Sequence, residues 1–139
     1  GDYALVATAR SGGATGKLKV TVIAGKVQRF RVQLGAATST AASAQAATGG
    51  DASSIDIAEL YAPFSHQQLI LKEAIGLNGS TKINPSGGAL AANPMFSAGL
   101  ERIGFAARHI FDGNASRVLA HATSGPALQQ NLVAVLEGK

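Results

Sequence analysis

The sequence predicts a single α/β domain built on a mixed sheet, and three observations carry that prediction. The chain has 139 residues, 46% of them hydrophobic and 14% charged, which suits one core of ordinary size. Strand-like and helix-like patterns follow one another in the order strand, strand, helix, strand, helix, helix, strand, strand. Seventeen glycines and many alanines indicate short turns and closely packed helices. This order is typical of a layered α/β fold.

The first strands are predicted from apolar runs and alternation. Residues 3–9, YALVATA, form a short apolar run that indicates a buried strand. In residues 17–22 and 28–34, Leu, Val and Phe occupy even-numbered positions, while Lys, Arg and Gln33 occupy odd-numbered ones. Side chains alternate across a strand, so the apolar face is expected to pack on the core and the polar face to meet solvent. Gly25 lies between the two segments, and both a long bent strand and a hairpin are consistent with it.

An alanine-rich segment precedes the next strand. Residues 38–50, TSTAASAQAATGG, are compatible with a short helix that is capped at Gly49. Residues 54–61, SIDIAELY, then have the apolar character of a strand.

A helix is predicted from Ser65 to about Gly76. Ser65 and Gln68 have the spacing of a capping box. Phe64 and Leu69 have the spacing of a hydrophobic staple, which supports the same start.

The longest helix is predicted to begin after Asn93, with Pro94 at its first position, and to end at Asp112 and Gly113. Apolar residues at three- and four-residue steps predict one continuous buried face. They are Phe96, Leu100, Ile103, Ala107, Ile110 and Phe111. Two final strands are predicted at residues 117–123 and 131–137, joined by SGPALQQ.

Charge and cysteine content narrow the function classes. With no cysteine, this chain can form no disulfide, no thiolate metal site and no cysteine nucleophile, and no metal site is predicted. The net charge of +4 favours an ordinary charged surface over nucleic-acid binding. The basic face of residues 17–31 contains no aromatic residue, whereas proteins that bind single-stranded nucleic acids usually have aromatic side chains on which bases stack. Neither a membrane span nor a signal peptide is recognisable, so a cytoplasmic location is expected.

Four segments in a characteristic order carry a resemblance to a known family. They are GDYALV at residues 1–6, IDIAELYAPFSHQQL at 55–69, INPSGGALAANPMFSAGLERI at 83–103 and RVLAHATSGPALQQN at 117–131. The second resembles the segment that bears an Asn-Glu-Ala-Phe or His-Asp-Cys-Phe motif, the third a Gly-Gly loop followed by Gly-His-Pro, and the fourth a Cys-x-Gly turn. Together they resemble the C-terminal domain of the thiolase family, nearest to its sterol-carrier-protein-type and related acetyl-CoA acetyltransferase-like branch.

The resemblance implies both a fold and an activity. It implies that residues 1–139 are one βαβαβαββ half, with a mixed five-stranded sheet and covering helices. Family members make or break a carbon–carbon bond beside a coenzyme A thioester through an acyl-cysteine, and that cysteine lies in an N-terminal half outside this chain. The chain alone is therefore expected to be inactive. Its implied partners are the cysteine-bearing half or subunit in an oligomer, the acyl-CoA substrate and a small OB-fold accessory protein, with no covalently bound cofactor.

Three residues stand at catalytic positions of the resemblance. Asn93 takes the place of the Gly-His-Pro histidine, and its amide can donate to an oxyanion or cap the following helix, but it is no base near neutral pH. Tyr61 falls at the first polar position of its motif, where it could act as an acid or position water, or simply pack. Pro63 replaces the sterol-carrier-type cysteine. His121 resembles a strand histidine of that branch and is titratable, with a structural role as the alternative.

Five further residues are implied substrate contacts. Gly87 and Gly88 allow positive φ and a close approach of backbone to ligand, though they would also serve any tight connection. Thr123 lies near the Cys-x-Gly cysteine but cannot replace a thiolate as a base. Ser124 and Gly125 form a turn whose N–H groups could face an acyl oxygen.

The changed motif residues leave two other functions open. One is a non-catalytic thiolase-like subunit that binds acyl-CoA or acts as a scaffold. The other is a component of a thiolase-like aldol lyase. His66 in an early helical turn is a weak candidate for a functional residue, and for His109 near a helix end a structural role is favoured.

Overall fold

The computed structural model describes the backbone of residues 15–24, 26–37, 44, 47–49, 51–124 and 130–138, with side chains from residue 44 onward. The strands are β1 (Thr15–Ala24), β2 (Lys26–Ala37), β3 (Ile57–Leu60), β4 (Lys82–Ile83), β5 (Arg117–Ser124) and β6 (Gln130–Glu137). The helices are α1 (Ser65–Ile75), α2 (Gly88–Ala91) and α3 (Ala98–Phe111). The predicted mixed α/β class is confirmed. None of the helices in these described ranges could span a lipid bilayer.

The strands form a mixed sheet in the order β1-β2-β6-β5-β3-β4. β3 is parallel to both β4 and β5, while β5 and β6 are antiparallel, so these four strands make the mixed part of the sheet. β1 and β2 continue it antiparallel beyond β6. Six strands are therefore present in the described ranges instead of the five predicted, because residues 15–37 supply two strands and residues 82–83 add a short one. The predicted opening strand at residues 3–9 lies outside the described residues.

The segment that could have been one bent strand is a hairpin. Ala24 lies opposite Lys26, and Thr15 lies opposite Gly35 at the far end of the same ladder. The chain thus reverses direction between β1 and β2. The predicted alternation of apolar and basic side chains along these strands lies outside the described side chains.

The helix predicted for residues 38–50 is confirmed at the positions that the structure describes. Ala44, Ala47 and Thr48 are helical, and the Thr48 hydroxyl donates to the carbonyl oxygen of Ala44 at 2.8 Å. Gly49 has a φ of 71°, the left-handed conformation expected of a C-terminal capping glycine.

Helix α1 has the predicted bounds but a different cap. Gly76 adopts a φ of 79°, and its N–H and that of Leu77 return to the last carbonyls of the helix. At the start, the side-chain oxygen of Gln67 accepts the N–H of Phe64 at 3.3 Å, so the capping interaction lies one residue before the predicted Ser65–Gln68 pair. Phe64 and Leu69 remain mainly exposed. Gln67 therefore holds this helix start instead of a buried staple.

The predicted start of the longest helix is wrong by several residues. Pro94 and Ser97 close a turn, with the Ser97 N–H donating to the Pro94 carbonyl at 2.8 Å, and α3 begins only at Ala98. Asn93 is therefore not the N-cap residue. The end is as predicted, since Asp112 caps the helix and Gly113 follows with a φ of 70°.

The buried face of α3 matches the predicted one only in part, since Ile110 is buried and Ile103 and Ala107 pack against the core. Its buried residues recur every four positions: Ala98, Arg102, Ala106 and Ile110. A Cβ added to Gly99 would lie only 2.8 Å from the Ala122 Cβ, so α3 approaches β5 closely. Small residues permit this approach, whereas the bulky Phe96 and Leu100 of the predicted face are exposed to solvent.

The sheet separates two apolar clusters, because side chains alternate along each strand. The cluster under α3 contains Ile57, Ala106, Ile110, Val118, Ala120, Ala134 and Leu136. The cluster on the opposite face contains Ala44, Ala47, Ile55, Ala58, Leu60, Ile75, Leu77, Leu119, Val133 and Val135. The two layers establish which strand residues share a face.

Candidate functional site

Two of the three predicted catalytic residues meet at the carboxyl end of β3. The Tyr61 hydroxyl donates to the side-chain oxygen of Asn93 at 3.3 Å. The backbone N–H of Tyr61 also donates to the carbonyl of His121 at 3.1 Å, which prolongs the β3–β5 ladder by one bond. Because Asn93 does not cap α3, its amide group is free to face the surface beside the tyrosine hydroxyl.

The loop before α2 lies beside this end of the sheet and is tied to it by Asn84. The side-chain oxygen of Asn84 accepts the N–H of Leu60 at 2.6 Å, and its nitrogen donates to Gln68 of α1 at 2.9 Å. Gly87 and Gly88 follow with φ values of 95° and 60°, the positive φ predicted for them. A Cβ at Gly88 would lie 2.8 Å from the Asn84 side chain. Only glycine fits this backbone without strain.

His121 lies on the other side of the sheet. Its partner on β3 is Leu60, and it shares its parity with Leu119, whose cluster lies opposite α3. Glu59 contacts the α3 residue Arg102, so the alternation carries Tyr61, two positions later, to the α3 side. The structure therefore brings Tyr61 and Asn93 together and leaves His121 on the opposite face.

The imidazole of His121 is enclosed, with 1% of the residue exposed. Its Nε2 lies 3.3 Å from the Asn131 side-chain oxygen, and its buried Nδ1 has no hydrogen-bond partner. Burial lowers the pKa of His121 below its ordinary value, because the charged form loses its hydration, and the Asn131 hydrogen bond opposes this shift. A neutral ring is the form that this environment favours.

The predicted turn residues after His121 lie at the end of β5. Thr123 is opposite Asn131 and partly buried, and Ser124 is opposite Gln130 and exposed. Thr123 shares the face of His121 by alternation. Gly125 lies outside the described residues.

A buried polar cluster that is not among the predicted site residues is centred on Glu59, which is fully buried in β3. The Ser86 hydroxyl donates to its carboxylate at 2.6 Å, the Ser86 N–H donates at 3.2 Å, and His109 Nε2 lies 3.1 Å away. Arg102 donates to the same carboxylate at 3.5 Å. The signal was present in the sequence, because an acidic residue inside the apolar run IAEL must find buried partners.

Arg102 is the cationic member of this cluster and only 2% exposed. Its guanidinium donates to Ser86 Oγ at 3.3 Å and to Glu101 at 3.1 Å. The same group lies 5.3 Å from the centre of the Phe105 ring. Its buried Nε has no hydrogen-bond partner. The Glu59 carboxylate is therefore fully hydrogen-bonded, whereas the Arg102 guanidinium is not.

The two chain segments that contain Tyr61 and Asn93 have several exposed apolar side chains and no formally charged residue. Residues 61–71 and 83–100 contain no Asp, Glu, Lys or Arg. The two segments present exposed large side chains, namely Phe64, Leu69, Ile70, Leu90, Met95, Phe96 and Leu100, which we call the apolar face. The Tyr61–Asn93 and Gln68–Asn84 hydrogen bonds join the segments.

A separate cavity of about 460 Å³ lies at the amino end of β3. It is lined mainly by polar residues, including Ser54, Asp56, Lys82, Asn114 and Ser116. None of the described site residues predicted from sequence contributes to its wall. In the part of the chain that the structure describes, no group of three or more His, Cys, Asp or Glu residues is arranged to hold a metal ion.

Comparisons of this chain with protein-family models, with curated proteins and with solved structures give no match.

Proposed function

We propose that this chain is the C-terminal half, or a separate C-terminal subunit, of a thiolase-type acyltransferase that acts on acyl-CoA thioesters, with an N-terminal half supplying the nucleophilic cysteine. The observation that carries the proposal is the 3.3 Å hydrogen bond between Tyr61 and Asn93. It joins two positions that the resemblance assigns to two separate motifs of the family. The loop with Gly87 and Gly88 belongs to the same end of the sheet.

The chemistry of this pair is that of hydrogen-bond donation, not of a base. Asn93 accepts from Tyr61 through its oxygen, which leaves its two N–H groups to donate to a thioester oxygen. Donors fixed where negative charge develops stabilise the transition state of acyl transfer. The proposed contribution of this half is therefore oxyanion stabilisation, and the base has to come from the partner half. His121 is not expected to supply it, because it is enclosed on the other face of the sheet.

The absence of a base at Asn93 favours a second candidate function. A thiolase-like subunit that binds acyl-CoA or serves as a scaffold would need the Gly87–Gly88 loop and the surface around it, but no proton carrier. A thiolase-like aldol lyase component would use the same donors on a different carbonyl. Activity of the assembled protein distinguishes these from Claisen-type carbon–carbon bond cleavage or formation.

The apolar face supports the need for a partner subunit. Its side chains are large and well exposed, with Met95 at 74% and Phe96 at 103%. Exposed aromatic and methionine side chains are enriched in the cores of protein–protein interfaces. A partner on this face would also enclose the Tyr61–Asn93 pair. We place this assembly in the cytoplasm.

Native mass spectrometry of the protein purified from its source, with denaturing mass measurement of every chain, is the first test. We expect a complex that contains a cysteine-bearing thiolase N-terminal half and transfers acyl groups from acetyl-CoA. Phe96→Ser should dissociate that complex. Arg108→Ser is the control, because Arg108 is exposed near the C-terminal end of α3, and it should leave the complex intact. A lone monomer without acetyl-CoA binding would contradict the proposal, and a complex that binds acetyl-CoA without turnover would favour the binding or scaffold function.

A further inference from the structure

Glu59 makes polar contacts that join three elements of the fold. It lies on β3, its hydrogen-bond donor Ser86 lies in the loop before α2, and Arg102 and His109 lie on α3. A buried carboxylate is costly unless several donors surround it. The position of Ser86 is therefore part of what makes the burial of Glu59 tolerable.

The contacts are unequal: the shortest comes from Ser86 of the loop, His109 Nε2 lies 3.1 Å away, and the longest comes from Arg102. Ser86 Oγ lies 2.6 Å from Glu59, whereas the Arg102 guanidinium lies 3.5 Å away, a long distance for a charge-assisted hydrogen bond. The Ser86 N–H adds a second bond from the same residue. The carboxylate is thus directed at the loop more closely than at the arginine.

Ser86 also forms a hydrogen bond with the glycine pair. While its hydroxyl donates to Glu59, its oxygen accepts the N–H of Gly88 at 3.3 Å and a guanidinium N–H of Arg102 at 3.3 Å. Asn84 fixes the other end of the loop through Leu60. Gly88 therefore lies against two side chains, those of Asn84 and Ser86, that both bond to β3.

We infer that Glu59 is a positioning residue: acting through Ser86, it fixes the backbone of the Gly87–Gly88 loop beside the Tyr61–Asn93 pair. The inference rests on the proposed function only in so far as this loop contacts the acyl-CoA. It predicts that cutting the Glu59–Ser86 link loosens the loop selectively while the sheet stays intact.

Amide hydrogen exchange on the full 139-residue chain tests this without any substrate. Ser86→Ala should raise exchange across residues 84–91 by about tenfold, the effect of losing one hydrogen bond to a charged group, and should leave β5 and β6 unchanged. Ser86→Thr retains the hydroxyl and should restore protection. Ser80→Ala is the matched control, because its hydroxyl bonds to Asn78 at the other end of the sheet.

Unchanged exchange over residues 84–91 in Ser86→Ala would overturn the inference, as would an equal loss of protection in every strand. A threonine variant as exposed as the alanine variant would do the same. Acetyl-CoA binding by the assembled protein is then measured separately. Selective loosening without acetyl-CoA binding in any variant would uphold the role of Glu59 and reject the proposed function.

Discussion

The hydroxyl of Tyr61 and the side-chain oxygen of Asn93 lie 3.3 Å apart, although 32 positions separate the two residues in the chain. The contact forms because β3 ends at Leu60, while Asn93 stands before the turn that leads into α3. Since α3 starts at Ala98, the Asn93 amide is not used in capping and can turn toward the tyrosine. Substitution of these two residues is therefore the most direct test of the candidate site.

Removing either member of the pair should impair acyl transfer by the assembled protein. We expect Tyr61→Phe and Asn93→Ala each to lower kcat/KM by about 10- to 100-fold, at the lower end of the effect of losing a transition-state donor or acid. The double variant should be little worse than the poorer single variant, because partners in one hydrogen bond act as a unit. Steady-state kinetics with acetyl-CoA provide the measurement.

Asn114→Ala is a control that removes an exposed amide near the far cavity, and it should leave the kinetics unchanged. Thermal unfolding of all variants separates activity from stability. Additive losses in the double variant would mean that the two side chains act independently, which would contradict a shared role.

The buried pair of Glu59 and Arg102 should dominate the stability of the α3 layer. We expect Glu59→Gln or Arg102→Met to lower the free energy of unfolding by about 3 kcal/mol, the lower end of the effect of removing one partner of a buried ion pair. The effect is at the lower end because Arg102 keeps its bond to Glu101, and Glu59 keeps those to Ser86 and His109. Replacing both should cost less than the sum of the two. Urea unfolding followed by far-UV circular dichroism is suitable, since the chain has no tryptophan.

Arg108→Gln is the matched control for this prediction. Arg108 pairs with Asp112 on the surface of the same helix, with 74% and 52% of the two side chains exposed. Solvent screens such a pair, so no measurable change is expected. A double replacement of Glu59 and Arg102 that costs the full sum would indicate that the two charges are satisfied by other partners.

Element boundaries that depend on local chemistry could be predicted from the sequence. Gly76 and Gly113 end their helices as expected, because a left-handed glycine is a property of the few residues around it. The start of α3 could not be predicted in this way. Asn93 followed by Pro94 is a good capping sequence, yet the same residues also suit the turn that ends at Ser97, and tertiary contacts decide between the two.

The sequence indicates some residues of the candidate site but not how they are arranged in space. Motif positions point to Tyr61 and Asn93, and the alternation of side chains along the strands is visible in the sequence. The sequence does not indicate which face of the sheet α3 covers. The side that α3 covers decides that His121 lies away from the Tyr61–Asn93 pair. The cluster of Glu59, Ser86 and Arg102 was missed because its members are far apart in sequence, although the lone acidic residue in β3 indicated that buried partners were needed.

The stability of the domain should fall in mild acid because of His121. Burial holds the pKa of His121 below its ordinary value in the folded state, so the unfolded chain binds a proton first as the pH falls. The resulting loss begins near pH 6.5, the ordinary value, and continues down to the lowered pKa. Within that window the slope from this one group is at most about 1.4 kcal/mol per pH unit.

Urea unfolding between pH 7.5 and 5 measures this slope, as conditions of about that range bracket the ordinary histidine pKa. His121→Gln retains a partner for Asn131 but cannot be protonated, so its stability should depend less on pH. His66→Gln removes an exposed imidazole at the start of α1 and controls for deleting a histidine as such. An unchanged slope in His121→Gln would show that other groups cause the acid sensitivity.

Two glycine-to-alanine changes should have opposite effects on stability. At Gly88 the φ is 60° and an added Cβ would lie 2.8 Å from the Asn84 side chain, so alanine forces both backbone strain and a shift of Asn84. We expect Gly88→Ala to lower the free energy of unfolding by about 1–3 kcal/mol. At Gly104, exposed within α3, an added Cβ meets no atom within 4 Å. Alanine there should stabilise by about 1 kcal/mol, since glycine is the poorer helix former.

Thermal and urea unfolding of the two variants give the comparison, and acetyl-CoA binding to the assembled protein adds a second readout. Gly104→Ala should bind acetyl-CoA as the parent protein does, because α3 keeps its position on the sheet. Gly88→Ala should bind more weakly, because the moved Asn84 releases its hold on Leu60 and the loop loses its position beside Tyr61 and Asn93. A Gly88→Ala variant with unaltered stability and binding would show that the loop relaxes freely, in which case its backbone geometry is not what the site depends on.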